Sequence, residues 1–214
     1  MAARVKICGV MRPADARAAV EAGASAIGVI VWPGSPRVGS IEKAAAILGE
    51  VPGGVLKVGV FVDQPCTFVD AAIRGAGLDA IQLHGRENTA EYNLGRIVFK
   101  SVAVGHGFQA GSLATIPSGI WPLLDAADDR RKGGTGARID WSVAAAAARV
   151  RPVVLAGGLT PMNVREAIRA VHPYAVDVSS GVEMAPGRKS TDLIRAFIEA
   201  VRSEAGDIPR GVWA

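Results

Sequence analysis

The stretch LKVGVFVDQPCTFVDAAIRGAGLDAIQL, residues 56–83, decides the fold. Residues 56–62 are a short apolar, β-branched run, which suits a strand. Asp63 and Pro65 interrupt it and open a segment over 65–74 with helical spacing of its apolar residues. AIQL at 80–83 is a second short apolar run. Strand, helix and strand in that order make one βαβ unit, whose two strands run parallel.

The same alternation extends in both directions. Strands are expected at 5–8, 26–32, 56–62, 80–83, 97–104, 120–124, 152–156 and 174–178. Helices are expected at 13–22, 40–49, 65–74, 87–94, 109–116, 140–149, 161–171 and 191–203. Several carry start signals: Pro13 in a first turn, Ser40 opening an incomplete capping box, Asp140 as N-cap, Thr160 as N-cap before Pro161, and Ser190 or Thr191 before the last. Eight strands alternate with eight helices at roughly 27 residues per unit, too many strands for an ordinary open sheet. The expected fold is α/β, a single-domain (β/α)8 TIM barrel over 1–205, with a loose C-terminal tail over 206–214.

Composition agrees with a large aliphatic core. Of 214 residues 50% are hydrophobic and only 5% aromatic, which excludes a largely disordered chain. No apolar run approaches the roughly 20 residues of a membrane-spanning helix, and MAARVKICG has no signal-peptide character. The two cysteines, Cys8 and Cys66, are too few for a disulfide framework. The expectation is a cytoplasmic protein without a membrane partner. The net charge of +4 is scattered, without interleaved aromatics, so nucleic acid is not expected as a partner; small anions are. Composition and motifs leave the oligomeric state open.

In such barrels the chemistry lies at the C-terminal ends of the strands. There the sequence sets Cys8-Gly9, Arg37, Asp63, Gln82 with His84, Asp125, Gly157-Gly158, and Asp177 with Ser179-Ser180-Gly181. Alternation puts Lys6 with Cys8, Gln82 with His84, and Asp177 with Ser179 on shared faces. Three Gly-rich turns follow the late strands: GGTG (133–136), AGGL (156–159) and SSGVE (179–183). Glycine lets backbone N–H groups close on an anion, and barrels commonly bind phosphate after strands 7 and 8. No GxxxxGK[ST] and no helix-opening GxGxxG is present, so nucleotide cofactors are not expected. The three histidines form no metal motif, and no metal is expected. These features fit a phosphate-handling enzyme, with a catalytically silent phosphate-binding barrel or another sugar-phosphate enzyme as alternatives.

Taken together, KICG (6–9), SPR (35–37), VGVFV (58–62), QLHG (82–85), LLD (123–125), GGTG, AGGL and DVSSGVE (177–183) occur in one order. That order resembles the phosphoribosylanthranilate isomerase family of tryptophan biosynthesis, over about residues 4–200. The resemblance implies a cofactor-free Amadori rearrangement of N-(5-phosphoribosyl)anthranilate, an aminoaldose phosphate, to an aminoketose phosphate. It implies Cys8 as general base and Asp125 as general acid. Arg37 would pair with the anthranilate carboxylate. Gly134, Gly136, Gly157, Gly158, Ser180 and Gly181 would hold the phosphate. Asp177 would either touch the ribose hydroxyls or pair with Lys6, and His84 and Gln82 would support the pocket. Val38 and Trp32 depart from the family pattern, in which an aromatic often follows the SPR arginine and Phe or Tyr is more usual at the latter position. Those departures bear on ring packing, not on proton transfer.

Overall fold

A computed structural model describes residues 3–92, 94–127, 139–205 and Trp213. Eight parallel strands close into a barrel in sequence order: β1 Arg4–Ile7, β2 Ala26–Ile30, β3 Leu56–Phe61, β4 Ala80–Leu83, β5 Ile97–Val104, β6 Ile120–Ala126, β7 Val154–Leu155 and β8 Ala175–Val178. β1 pairs with β8 as well as with β2, which removes the sheet edges. Six α-helices surround it among the described residues: α1 Pro13–Ala22, α2 Ile41–Leu48, α3 Cys66–Ala76, α4 Trp141–Val150, α5 Val164–Val171 and α6 Thr191–Ala205.

Period-two alternation divides the apolar residues into two cores. Val5, Ile7, Ile27, Phe61, Ile81, Leu83, Leu124 and Val176 face outward and pack with the buried residues of the helices. Ala26, Val58, Ala80, Phe99, Leu123, Val154 and Ala175 fill the barrel interior near the N-terminal ends of the strands. Each Val, Leu or Ile so buried contributes about 1.5–3 kcal/mol of transfer free energy. Polar groups are left for the other end of the barrel.

The structure corrects several expectations. The segments after β4 and β5 form short 3-10 turns, Thr89–Tyr92 and Ala110–Thr115, in place of helices. α5 starts at Val164, with Asn163 and not Thr160 at its N-cap. The Asn163 side chain folds back, accepting from Thr160 N–H at 2.8 Å and donating to Gly158 O at 3.0 Å. That closes a turn where the first helical turn was expected. Ser40 and Asp140 do cap α2 and α4, through Lys43 N–H and Ser142 N–H. β6 runs two residues further than expected and carries Asp125 inside the strand, paired with Ala103. A hairpin of β9 Glu183–Ala185 and β10 Arg188–Lys189, turned at Gly187, follows β8. Of the tail expected to be loose only Trp213 is described, and it is buried against Phe99 and Tyr174 at the barrel floor.

Candidate active site

The centre of the polar end is an ion pair. Lys6 on β1 and Asp177 on β8 are register partners, and Lys6 Nζ lies 2.9 Å from Asp177 Oδ1. Lys6 is wholly buried. Burial works against its charge, but Asp177 and Cys8 hold the ammonium protonated above the usual lysine range. Of the two expected roles for Asp177, this pairing is the one the geometry displays.

Cys8 follows β1, its N–H donating to Val178 O at 2.9 Å. Its thiol is buried, and burial raises its pKa, while the Lys6 ammonium pulls in the opposite direction. Gly28 on β2 lies under both side chains. A Cβ there would come within 3.0 Å of Cys8 Sγ and 3.2 Å of Lys6 Cε. The absence of a side chain at Gly28 therefore makes room for the thiol.

Asp125 approaches from β6. Burial, then the Asp177 charge, pushes its carboxyl up to about 6, against the Ala126 N–H that donates to Oδ1 at 2.9 Å and the Lys6 ammonium. Cys8, at the end of β1, and Asp125, on β6, thus both feel the Lys6–Asp177 pair. His84 Nε2 lies 3.7 Å from Asp125 Oδ2, and His84 Nδ1 lies 2.6 Å from Ser101 Oγ and 3.2 Å from Gln82 Nε2. Gln82 and Ser101 hold the Nδ1 edge of the ring, which leaves the Nε2 edge facing Asp125. Burial and the Lys6 charge lower the imidazole to about 4, so His84 is neutral at pH 7.

Gly157 and Gly158 both adopt positive φ after β7, at 78° and 68°. A Cβ on Gly157 would come within 3.3 Å of Asp125 Oδ1, which sets this turn beside the carboxyl. A Cβ on Gly181 would collide with Leu159 O, so the turns after β7 and β8 are in contact. Ser180 and Gly181 form the 3-10 turn there. Gly134 and Gly136 lie outside the described residues.

Arg37 is buried, and its side chain crosses Gly9, where a Cβ would come within 2.6 Å of Arg37 Cδ. It forms a bidentate pair with Glu183, at 2.8 and 2.7 Å. Glu183 and Lys189 are site residues that sequence reasoning did not single out. The Pro186-Gly187 dipeptide was the available signal, since it marks the turn that folds Lys189 back onto Glu183. Among the described residues no group of three or more His, Cys, Asp or Glu is placed to hold a metal ion. Among them, too, no helix is long and apolar enough to cross a membrane.

A family model for N-(5'phosphoribosyl)anthranilate (PRA) isomerase matches residues 5–200. The N-(5'-phosphoribosyl)anthranilate isomerase of Magnetococcus marinus is 42% identical over 203 residues, covering 94% of this chain and 96% of the relative. The crystal structure of phosphoribosyl anthranilate isomerase from Thermotoga maritima superimposes with a TM-score of 0.86 at 38% identity, covering 94% of this chain and 99% of the other. A further crystal structure of such an isomerase, in complex with reduced 1-(o-carboxyphenylamino)-1-deoxyribulose 5-phosphate, gives a TM-score of 0.83 at 38% identity, with the same coverage.

Proposed function

Since this chain belongs to the N-(5'-phosphoribosyl)anthranilate isomerase family, we propose that Cys8 and Asp125 carry out its two proton transfers. The enzyme is an isomerase that converts the aminoaldose phosphate to the aminoketose phosphate. No net redox change is involved, and side chains can supply the proton transfers. Asp125, protonated, gives its proton to the ribose ring oxygen as the C1′–O bond breaks and the nitrogen lone pair forms the C=N bond. The Cys8 thiolate then takes the C2′ proton, and that electron pair forms the enolamine. The enolamine loses its hydroxyl proton and gains one at C1′, giving the ketone.

The observation that carries this reading is the shared Lys6–Asp177 pair. The buried Lys6 ammonium favours the thiolate, while burial and Asp177 favour a protonated Asp125. Burial raises both groups, but the Lys6 ammonium opposes that rise chiefly at Cys8 and Asp177 adds to it chiefly at Asp125, so within the singly protonated pair they favour the form with the proton on the acid. Arg37 meets the anthranilate carboxylate, and Asp177 turns its second oxygen toward a ribose hydroxyl while it holds Lys6. His84 supports Asp125 and lines the substrate pocket. The 5′-phosphate rests on Gly157, Gly158, Ser180 and Gly181, and the family resemblance adds Gly134 and Gly136 to the residues that hold it. A solved relative binds a carboxyphenylamino deoxyribulose phosphate, which supports a substrate of this class. The cytoplasm suits two free cysteines, and the barrel, 1–205, is the catalytic unit.

Fluorescence of the anthranilate group tests the assignment. Cys8→Ser and Asp125→Ala are each expected to lose at least about a hundredfold in kcat while still binding product. Either variant turning over within tenfold of wild type would remove that residue from the mechanism.

A further inference from the structure

The proposed proton transfers leave Glu183 without a part, yet it is one of the most enclosed charges in the molecule. Its side chain is 4% exposed. Oε1 accepts from Arg37 Nε at 2.8 Å and Oε2 from Arg37 Nη2 at 2.7 Å. Oε1 also accepts from Lys189 Nζ at 2.8 Å and from Gly187 N–H at 3.3 Å. The Lys189 side chain is fully buried and donates to Ser179 O at 3.0 Å. β9 and β10 set Lys189 opposite Glu183 in register, so the fold fixes the carboxylate between two cations.

A guanidinium carries five N–H donors in one plane. Glu183 takes the two on the Nε edge. Of the remaining three, one on Nη2 and one on Nη1 form a second fork, and no described residue accepts from Nη1. Because the forks are coplanar, a carboxylate clamped on one fixes the orientation of the other. The aliphatic part of Arg37 is also confined, since it passes directly over Gly9, the residue after Cys8. The charges close as well. Arg37, Lys189 and Glu183 together carry one net positive charge, which matches one substrate carboxylate.

We propose that Glu183 is the positioning residue for Arg37, holding the Nε fork so that the Nη1 fork meets the carboxylate on the substrate's aromatic ring, with Lys189 as its counter-ion. This rests on the reading that Arg37 binds that carboxylate. Burial alone would raise the Glu183 carboxyl, but the hydrogen bonds from Arg37 and Lys189 hold it below the usual glutamate range. The clamp therefore stays ionised through the neutral pH range.

The test compares the natural substrate with an analogue that carries aniline in place of anthranilate and so lacks the carboxylate. Glu183→Gln is expected to raise KM for the natural substrate about tenfold with kcat within about threefold, and to leave the analogue's kcat/KM within about twofold. Arg37→Ala is expected to abolish the preference for the carboxylated substrate, and adding Glu183→Gln to it should cost nothing more. If Arg37→Ala keeps that preference, the carboxylate reading of Arg37 fails, and the clamp with it. If Arg37→Ala abolishes the preference and Glu183→Gln retains it, the clamp alone fails. Equal losses on both substrates, or a lower KM for Glu183→Gln, also overturn it, pointing to a purely structural residue or to a competitor for Arg37. Should Glu183→Gln not fold, Glu183→Asp keeps the charge but withdraws it by one methylene. It should raise KM at least about threefold on the carboxylated substrate alone, and an unchanged KM overturns the proposal.

Discussion

Lys6 Nζ sits 2.9 Å from Asp177 Oδ1, inside the barrel where its first and last strands close on each other. The pair is a seam in the fold and an electrostatic source for the site. Removing one member leaves the other buried and uncompensated, which costs about 3–5 kcal/mol. Asp177→Asn should therefore lower the urea midpoint strongly. The double variant Lys6→Met with Asp177→Asn should recover a large share, because no charge is then stranded. Equal stability of single and double variants would show that the pair does not matter in this way.

Asp125 and His84 give opposing stability slopes with pH. Asp125 has its folded pKa raised to about 6, so the folded state holds that proton more tightly than the unfolded chain does. Its ionisation cost is absent at pH 4 and complete above pH 6, on the order of 3 kcal/mol. His84 has its folded pKa lowered to about 4, so its contribution is intact above the ordinary imidazole range and is lost as pH falls toward 4. Over the acid range the two largely cancel. Asp125→Asn should thus be more thermostable than wild type at pH 7, with the gain vanishing by about pH 4. Its melting temperature should rise with pH more steeply than that of wild type. A gain that does not change with pH would refute the assignment.

Activity should follow the same groups. With the carboxyl near 6 and the thiol above its ordinary value, the productive form holds thiolate and protonated acid together. That form is a minor tautomer of the singly protonated pair, and its fraction is flat between the two pKa values. A profile of kcat/KM should rise to a plateau near pH 6 and hold it well into the alkaline range. A profile already falling between pH 6 and 8 would contradict the paired assignment.

At the opposite end of the barrel, Trp213 is 3% exposed and meets Phe99 edge-on at 5.2 Å between ring centroids. Its Nε1 is buried with no hydrogen-bond partner among the described residues. Trp213→Ala should cost about 3–5 kcal/mol by opening a cavity in the floor. Trp213→Phe should cost less than Trp213→Ala, since a ring still fills part of the site and no hydrogen bond to a described residue is lost. Chemical denaturation followed by circular dichroism measures both, and kcat should be unchanged in each. A Trp213→Ala protein as stable as wild type would mean that the floor packs without it.

The sequence by itself determined the strands, most of the helices and the end of the barrel at which the polar residues collect. Apolar periodicity and turn residues act between near neighbours in the chain, so they are legible in the residues alone. The limits of AIQL and of the segment over 97–104 came out as drawn for this reason. The segments after β4 and β5 lacked a strong helical pattern, and they settled into 3-10 turns. Only the tertiary structure decided which charges meet. Lys6 and Asp177 are 171 residues apart, and Arg37 and Glu183 are 146 apart. Barrel closure and the β9–β10 hairpin bring them together, and burial then sets their protonation. Burial also gave Trp213 a place that its polar, Gly- and Pro-containing surroundings did not announce. Local chemistry wrote the elements and the family motifs, whereas partners and pKa values depend on distance through space, which a linear chain does not encode position by position.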